Sequence, residues 1–357
     1  MNPILAEAQQ ATQAGDWSRA GTLLRQLVAE RPADAALRLE LGAVLERAGA
    51  ADEALLQYAR ALRDAQAGGQ WLDAASTPAA LRPRVEHAVQ WVRQRRREGI
   101  ARLLEPLAAQ HGIKSLRRIE RCIRIFFGEE APPYTDARQR PTFLYMPELP
   151  PATYFNRALF RWIPDLEDET DGIRRELQAL LPTAASRERV FDSDELEAQN
   201  LRGQDVAPSW NGYYFFRHGE RRADNCAACP ATAAALDALP LSRVREHGPE
   251  VLFSVFTAGT HLLPHRGVTN ARLVAHLPLI VPTDCALRVA DELHEWREGE
   301  VVVFDDTYEH EAWNRSGQVR VVLIFDIWNP FLTDVERAAL AELIPGFGDF
   351  RHALDAA

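Results

Sequence analysis

The sequence predicts an α+β chain in which a helical repeat region precedes an antiparallel β-domain of sandwich or jelly-roll type. Three observations predict it. Residues 1–60 match themselves at an offset of 34, a proline-rich break follows at 129–151, and beyond about residue 185 short β-branched runs recur between turns.

The repeat comes first. Gly15 recurs as Gly49, Ala20 as Ala54, Leu24 as Tyr58 and Ala8 as Gly42, with Pro32 closing the first unit. Small residues at this period let paired helices approach closely, the pattern of tetratricopeptide-type repeats. Two units are visible, and a helical segment over 81–127 continues or caps them. Such stacks present a concave peptide-binding surface, but the repeats here are few, so a docking or dimerising role at the helices is expected as much as a groove for a peptide or protein partner. The stretch 128–151, which is Gly128 followed by EEAPPYTDARQRPTFLYMPELPP, has no helical period and reads as a linker. The β-domain is then placed at 152–345, with a tail at 346–357. Its strands are expected at 251–256, 272–281, 285–290, 300–304 and 318–328. A final helix is expected over 333–343, with Thr333 as its N-cap and Pro345 just past its end.

Composition narrows the function classes. The chain has 357 residues, is 46% hydrophobic and 26% charged, and carries a net charge of -10, which leaves no basic surplus for nucleic acid. Lys114 is the only lysine. The first residues show no basic segment followed by an apolar run, and no stretch approaches the roughly 18 apolar residues of a spanning helix. Cys122, Cys226, Cys229 and Cys285 are too few and irregular for a secreted disulfide framework, so a cytoplasmic protein with reduced thiols is expected. Cys226 and Cys229 lack a second cysteine pair and read as two thiols at a turn rather than a zinc site.

Alternation along the strands assigns faces. Arg272, Val274 and His276 point one way and Leu273, Ala275 and Leu277 the other; Ser254 lies with Leu252 and Phe256, and Arg320 with Val322 and Ile324. An arginine among apolar neighbours is costly without a partner, so Arg320 calls for an anion, and a dicarboxylate would meet it through paired charge-assisted bonds. His265 and His310 sit on separate strand-like segments. Two neutral imidazoles suit iron, zinc, copper or nickel and leave coordination positions open. Gly267 stands two residues after His265, where an iron oxygenase with two histidines and one carboxylate would usually carry Asp or Glu. Asp305 and Asp306 are candidates for that third ligand, but their place before a turn favours exposure or strand-end capping. His261 reads as structural, Glu309 and Glu311 point away from His310, and Trp313 and Trp328 read as core aromatics.

The run from Ser254 through THLLPHRGVTNARLVAH, then WREGEVVVFDDTYEHEAWN and VRVVLIFDIWNP, resembles the aspartyl/asparaginyl β-hydroxylase family of 2-oxoglutarate oxygenases, over roughly residues 200–340. The resemblance implies a double-stranded β-helix fold, Fe(II), 2-oxoglutarate and dioxygen as cofactors, and hydroxylation of an amino-acid side chain in a peptide or protein. It implies that His265 and His310 hold iron, that Arg320 and Ser254 take the distal carboxylate of 2-oxoglutarate, and that His276 meets the metal-proximal one. Gly267 agrees, because this family has glycine where relatives carry the third ligand. Tetratricopeptide-type helices often precede its oxygenase domain. Val274 departs from the pattern: animal members have arginine there, which leaves Arg272 and Arg221 as candidate holders of an acidic substrate. Animal members are also membrane-anchored, and no anchor is visible in this chain. Two alternatives stand beside this reading, a non-catalytic repeat scaffold with a degenerate barrel and a hydroxylase of a lipid-linked or small amino-acid substrate.

Overall fold

The structure, a computed structural model, describes residues 2–182, 188–191, 193–203 and 207–355. The chain divides into two units, one of Met1–Glu105 with Gly346–Ala357 and one of Pro106–Pro345.

The first unit is helical. Its helices are α1 (Pro3–Gln13), α2 (Trp17–Glu30), α3 (Ala35–Arg47), α4 (Ala51–Ala67) and most of α5 (Arg82–His111). Local chemistry sets the boundaries. Asn2, Asp16 and Asp34 accept backbone N–H groups at the starts of α1, α2 and α3, and Gly15 and Gly49 close the turns after α1 and α3 at φ of +76° and +78°. The recurring small residues are where the helices meet. Ala8, Ala20 and Ala54 are buried, and a Cβ on Gly42 would sit 2.6 Å from the Tyr58 ring. Gly42→Ala is therefore expected to lower stability by about 1–3 kcal/mol through overpacking, read as a shift of the thermal unfolding midpoint.

The second unit holds α6 (Arg117–Phe126), α7 (Ile163–Asp168), α8 (Thr170–Leu180), α9 (Asp194–Asn200), α10 (Ala223–Ala228), α11 (Pro230–Asp237) and the start of α12 (Asp334–Asp355). Its strands are β1 (Glu188–Arg189), β2 (Leu201–Arg202), β3 (Trp210–Arg217), β4 (Glu220–Arg221), β5 (Val251–Phe256), β6 (His261–His265), β7 (Arg272–Ile280), β8 (Cys285–Val289), β9 (Glu292–Glu295), β10 (Val302–Phe304), β11 (His310–Asn314) and β12 (Arg320–Trp328). They form two antiparallel sheets. The larger runs β1-β3-β5-β12-β7-β10 with β4 on β3, and the smaller β2-β6-β11-β8-β9.

The larger sheet is buried on both faces. Leu273, Ala275, Leu277, Val321, Leu323, Phe253 and Val255 pack against Ile163, Leu166, Ile173, Leu177 and Leu236 of the helices. On the opposite face Phe256, Val274, Val302, Phe304 and Val322 meet Leu262, Leu287, Val289 and Ala312 of the smaller sheet. Period-two alternation thus gives one strand two cores, and the functional side chains lie on the face between the sheets.

Two segments differ from the sequence expectation. Residues 128–151 contain no helix, as their prolines require, but they lie within the second unit rather than between units. Thr142 N–H donates to the Gly267 carbonyl, Phe143 and Leu144 donate to Val268, and Leu144, Met146 and Leu149 are buried. Apolar side chains and the remaining free N–H groups anchor the stretch despite its prolines. The last helix starts as expected, with Thr333 and Glu336 in a reciprocal capping box, but it continues through Pro345 to Asp355. A proline removes one helical bond, and burial of Leu340, Leu343, Ile344 and Phe347 on either side of it outweighs that loss. No helix among the described residues is long and apolar enough to cross a membrane.

Candidate metal and anion site

Strand pairing brings the two histidines together. β6 ends on His265, β11 begins on His310, and the register sets them directly opposite, with ring centroids 4.1 Å apart. Each ring is held by its own backbone. His265 Nδ1 bonds the Leu263 carbonyl at 2.8 Å and His310 Nδ1 bonds the Tyr308 carbonyl at 3.1 Å. A carbonyl only accepts, so both Nδ1 atoms are assigned the proton and both Nε2 atoms keep a lone pair, the tautomer a metal requires. Burial pushes the His265 pKa down, and burial together with His265 pushes His310 down to about 3. Both imidazoles are neutral at pH 7.

The third position near this pair is closed. A Cβ on Gly267 would overlap the carboxyl group of Asp306, whose backbone carbonyl accepts the Gly267 N–H at 2.6 Å. Asp306 is buried, ion-paired to Arg272 at 3.2 Å, and its Oδ1 has no hydrogen-bond partner. Burial pushes its pKa up to about 7 against the pull of Arg272. Among the described residues no group of three or more His, Cys, Asp or Glu side chains is placed to hold a metal ion. The protein offers two ligating nitrogens and an adjacent carboxyl group, not three ligands.

Next to the histidines lies a buried cation. Arg320, at the start of β12, is 2% exposed and meets no carboxylate among the described residues. Its guanidinium carbon lies 3.8 Å from the Phe256 ring centroid and 5.0 Å from that of Trp296, and Nη1 makes a long bond of 3.4 Å to Ser254 Oγ. Ser254 in turn accepts the Trp210 indole N–H at 2.9 Å. Burial pushes the Arg320 pKa down to about 9. His276 is buried on β7, its ring centroid 5.8 Å from that of Trp296 and 5.0 Å from that of Phe304, and burial followed by Arg320 and His310 keeps it neutral. Arg320 Nε, His276 Nδ1 and Trp296 Nε1 are all buried without a hydrogen-bond partner. A native core rarely leaves three such atoms in one place, and a small organic anion with oxygens at both ends would satisfy them. Phe304 bridges the two halves of the site, with its ring 5.6 Å from His310 and 5.0 Å from His276.

The structure therefore links His265 and His310 through Phe304 to His276, and His276 through Trp296 to Arg320 and Ser254. It does not bring the other two candidates there as free cations. Arg272 is spent on Asp326 at 2.7 Å and on Asp306, while Arg221 sits at the far end of β3 from Trp210, paired with Asp237. Val274 lies in the apolar layer between the sheets. Asp305 and Asp306 are buried rather than exposed. Asp305 does cap the turn, accepting from Thr307 N at 2.9 Å and from Gln139 at 2.6 Å. His261 and Arg288 both engage Glu311, which is buried, while Glu309 is exposed. All four cysteines are buried and unpaired. A cleft of about 340 Å3 is lined by Pro264, Arg288, Asp291, Glu309, His310 and Glu311. Sequence reasoning missed Trp296, Trp210 and the exclusion of side chains at 267 by Asp306, because each depends on contacts between strands distant in sequence.

The fold and the site define a protein of two antiparallel sheets that presents paired neutral histidines beside a buried anion-seeking arginine. Residues 167–330, just under half of the chain, match the family model described as Aspartyl/Asparaginyl beta-hydroxylase, and that region is of this family. Human aspartyl/asparaginyl beta-hydroxylase is 36% identical over 145 residues, 40% of this chain and 19% of that protein. The ornithine lipid ester-linked acyl 2-hydroxylase of Rhizobium tropici is 33% identical over 179 residues, 49% of this chain and 60% of that one. Human aspartate beta-hydroxylase domain-containing protein 2 is 28% identical over 243 residues, 66% of this chain and 63% of that one. The chain thus spans less than two thirds of the length of each, and the matched family region lies within the second unit.

Proposed function

We propose that the chain is an Fe(II)- and 2-oxoglutarate-dependent hydroxylase that acts on an amino-acid side chain in a peptide or protein. The observation that carries this reading is the joint one: two neutral histidines held through Nδ1 by backbone carbonyls are linked through Phe304 and His276 to a buried guanidinium that meets no carboxylate among the described residues. We read the two-sheet domain as a double-stranded β-helix and the first four helices as two tetratricopeptide units that recruit a protein partner.

His265 and His310 would hold the iron. Their Nδ1 bonds to backbone carbonyls fix the ring orientation, so the ligands are organised before metal arrives. Arg320 and Ser254 would take the distal carboxylate of 2-oxoglutarate, and His276 the carboxylate nearer the metal. When bound, these groups supply the oxidative chemistry: dioxygen is reduced, the oxo acid becomes succinate and carbon dioxide, and a C–H bond becomes C–OH. The chain's own work is orientation and exclusion. Phe256, Trp296, Phe304 and Val274 keep water from the anion, which strengthens each charged contact, and the cleft beside His310 is the route for the target side chain. Arg272 is already neutralised by Asp326 and Asp306 and Val274 is apolar, so neither position supplies a free cation for an aspartyl substrate.

Anaerobic addition of Fe(II) and 2-oxoglutarate should produce the weak visible charge-transfer band of the chelate, and air should then yield succinate. His310→Ala and His265→Ala should each abolish the band and lower metal affinity by at least 100-fold, as expected for loss of one of two protein ligands, roughly 3 kcal/mol or more. An unchanged band in His310→Ala would sink the assignment.

A further inference from the structure

We propose that Trp296 is a cosubstrate-binding residue whose indole N–H donates a hydrogen bond to the anion held by Arg320. The inference rests on the cosubstrate assignment above and adds a residue to it.

Trp296 lies in the loop between β9 and β10 and is 6% exposed. A tryptophan serving only as filler usually keeps its polar edge at water or on a protein acceptor. The Trp296 Nε1 atom has neither: it is buried and unpartnered. The contrast with Trp210 is informative, since that indole donates to Ser254 Oγ, which also bonds Arg320. The fold satisfies one indole and leaves the other open.

The neighbours of Trp296 explain why no protein group fills the vacancy. Its ring is 5.0 Å from the Arg320 guanidinium carbon, and a guanidinium has donors only. Phe256 covers the guanidinium from 3.8 Å, and Phe304 and Val302 in the same apolar layer bring hydrocarbon. The other ring beside it is His276, at 39° and 5.8 Å, whose Nδ1 is also unpartnered. Trp296 therefore adjoins both groups assigned to the two ends of the diacid. An entering carboxylate would give the indole its acceptor. The two aromatic rings would also hold the guanidinium in place while it is unliganded, through cation–π contact.

The test uses the full chain loaded with Zn(II), which binds 2-oxoglutarate without turnover. Trp296→Phe keeps an aromatic ring against Arg320 and deletes the N–H together with the rest of the five-membered ring. Calorimetry should show 2-oxoglutarate affinity falling roughly tenfold, the size expected for one hydrogen bond to a charged group. The unfolding midpoint without ligand should change little, because removal of an unsatisfied donor offsets the volume lost from the ring. A second readout needs no variant: with nitrogen-15 tryptophan in the wild-type chain, one of the eight indole N–H signals should move on adding 2-oxoglutarate and become protected from exchange with water. Unchanged affinity in Trp296→Phe, or eight unmoved indole signals while calorimetry reports binding, overturns the role of Trp296 alone. Absence of any 2-oxoglutarate binding by the wild-type protein overturns the cosubstrate assignment and this inference together.

Discussion

Replacing Gly267 with aspartate should destabilise the protein and leave metal affinity no better, although aspartate at this position is what a three-ligand iron site would carry. The reason is space. A Cβ at 267 would overlap the Asp306 carboxyl group, which is itself fixed by Arg272. Gly267→Ala should cost about 1–3 kcal/mol from overpacking alone. Gly267→Asp adds a second, partly buried carboxylate against the buried one of Asp306, and roughly 3–5 kcal/mol is expected from overpacking and like-charge repulsion together. The double variant Gly267→Asp with Asp306→Gly removes the obstruction and should recover most of the loss. Chemical denaturation measures the stabilities, and zinc or iron titration the affinities. A Gly267→Asp protein as stable as wild type, with tighter metal binding, would show that Asp306 yields and that the glycine is not packed shut.

How much of this could be read in the sequence depends on the range of the interaction. Period-two alternation is a property of the strand itself, so the division of Leu273, Ala275 and Leu277 from Val274 and His276 was legible and is the division between the two cores. The small residues at the 34-residue offset likewise mark close helix contacts, because only their size was needed to foresee them. The pairing of Arg272 with Asp326 was not legible. It follows from the β7–β12 register, which places Asp326 opposite Val274 across a separation of 54 residues from Arg272. Asp305 and Asp306 failed for a related reason: adjacent acids before a turn are ordinarily solvated, and here residues 128–151 fold back over them, with Gln139 donating to Asp305. Trp296 carries no local pattern that separates a buried indole with an acceptor from one without. The proline-rich stretch could be seen to lack helix, but its anchoring to 267–270 comes from backbone groups that every sequence shares.

Arg320→Met should yield a protein that is more stable without cosubstrate and unable to bind it. The guanidinium is nearly fully buried, has one long bond to Ser254, leaves Nε unpartnered and faces no carboxylate among the described residues. Cation–π contact with Phe256 and Trp296 offsets only part of the desolvation cost, which is why burial pulls its pKa to about 9. A methionine of similar length fills the space between the rings without that cost, so a gain of about 1–4 kcal/mol in the apo protein is expected. The same change removes two charge-assisted hydrogen bonds to the distal carboxylate, each worth about 1.5–3 kcal/mol, so 2-oxoglutarate affinity should fall by roughly 10²–10⁴-fold. Adding 2-oxoglutarate should accordingly raise the unfolding midpoint of the wild type and leave that of Arg320→Met unmoved. Arg320→Lys is the informative intermediate. It keeps the charge but loses the planar fork and the stacking between the rings, so it should recover neither the stability nor full affinity. If Arg320→Met proved several kcal/mol less stable than wild type, the guanidinium would be paying its way in the empty protein, and the site would be built around structure rather than around an anion it awaits.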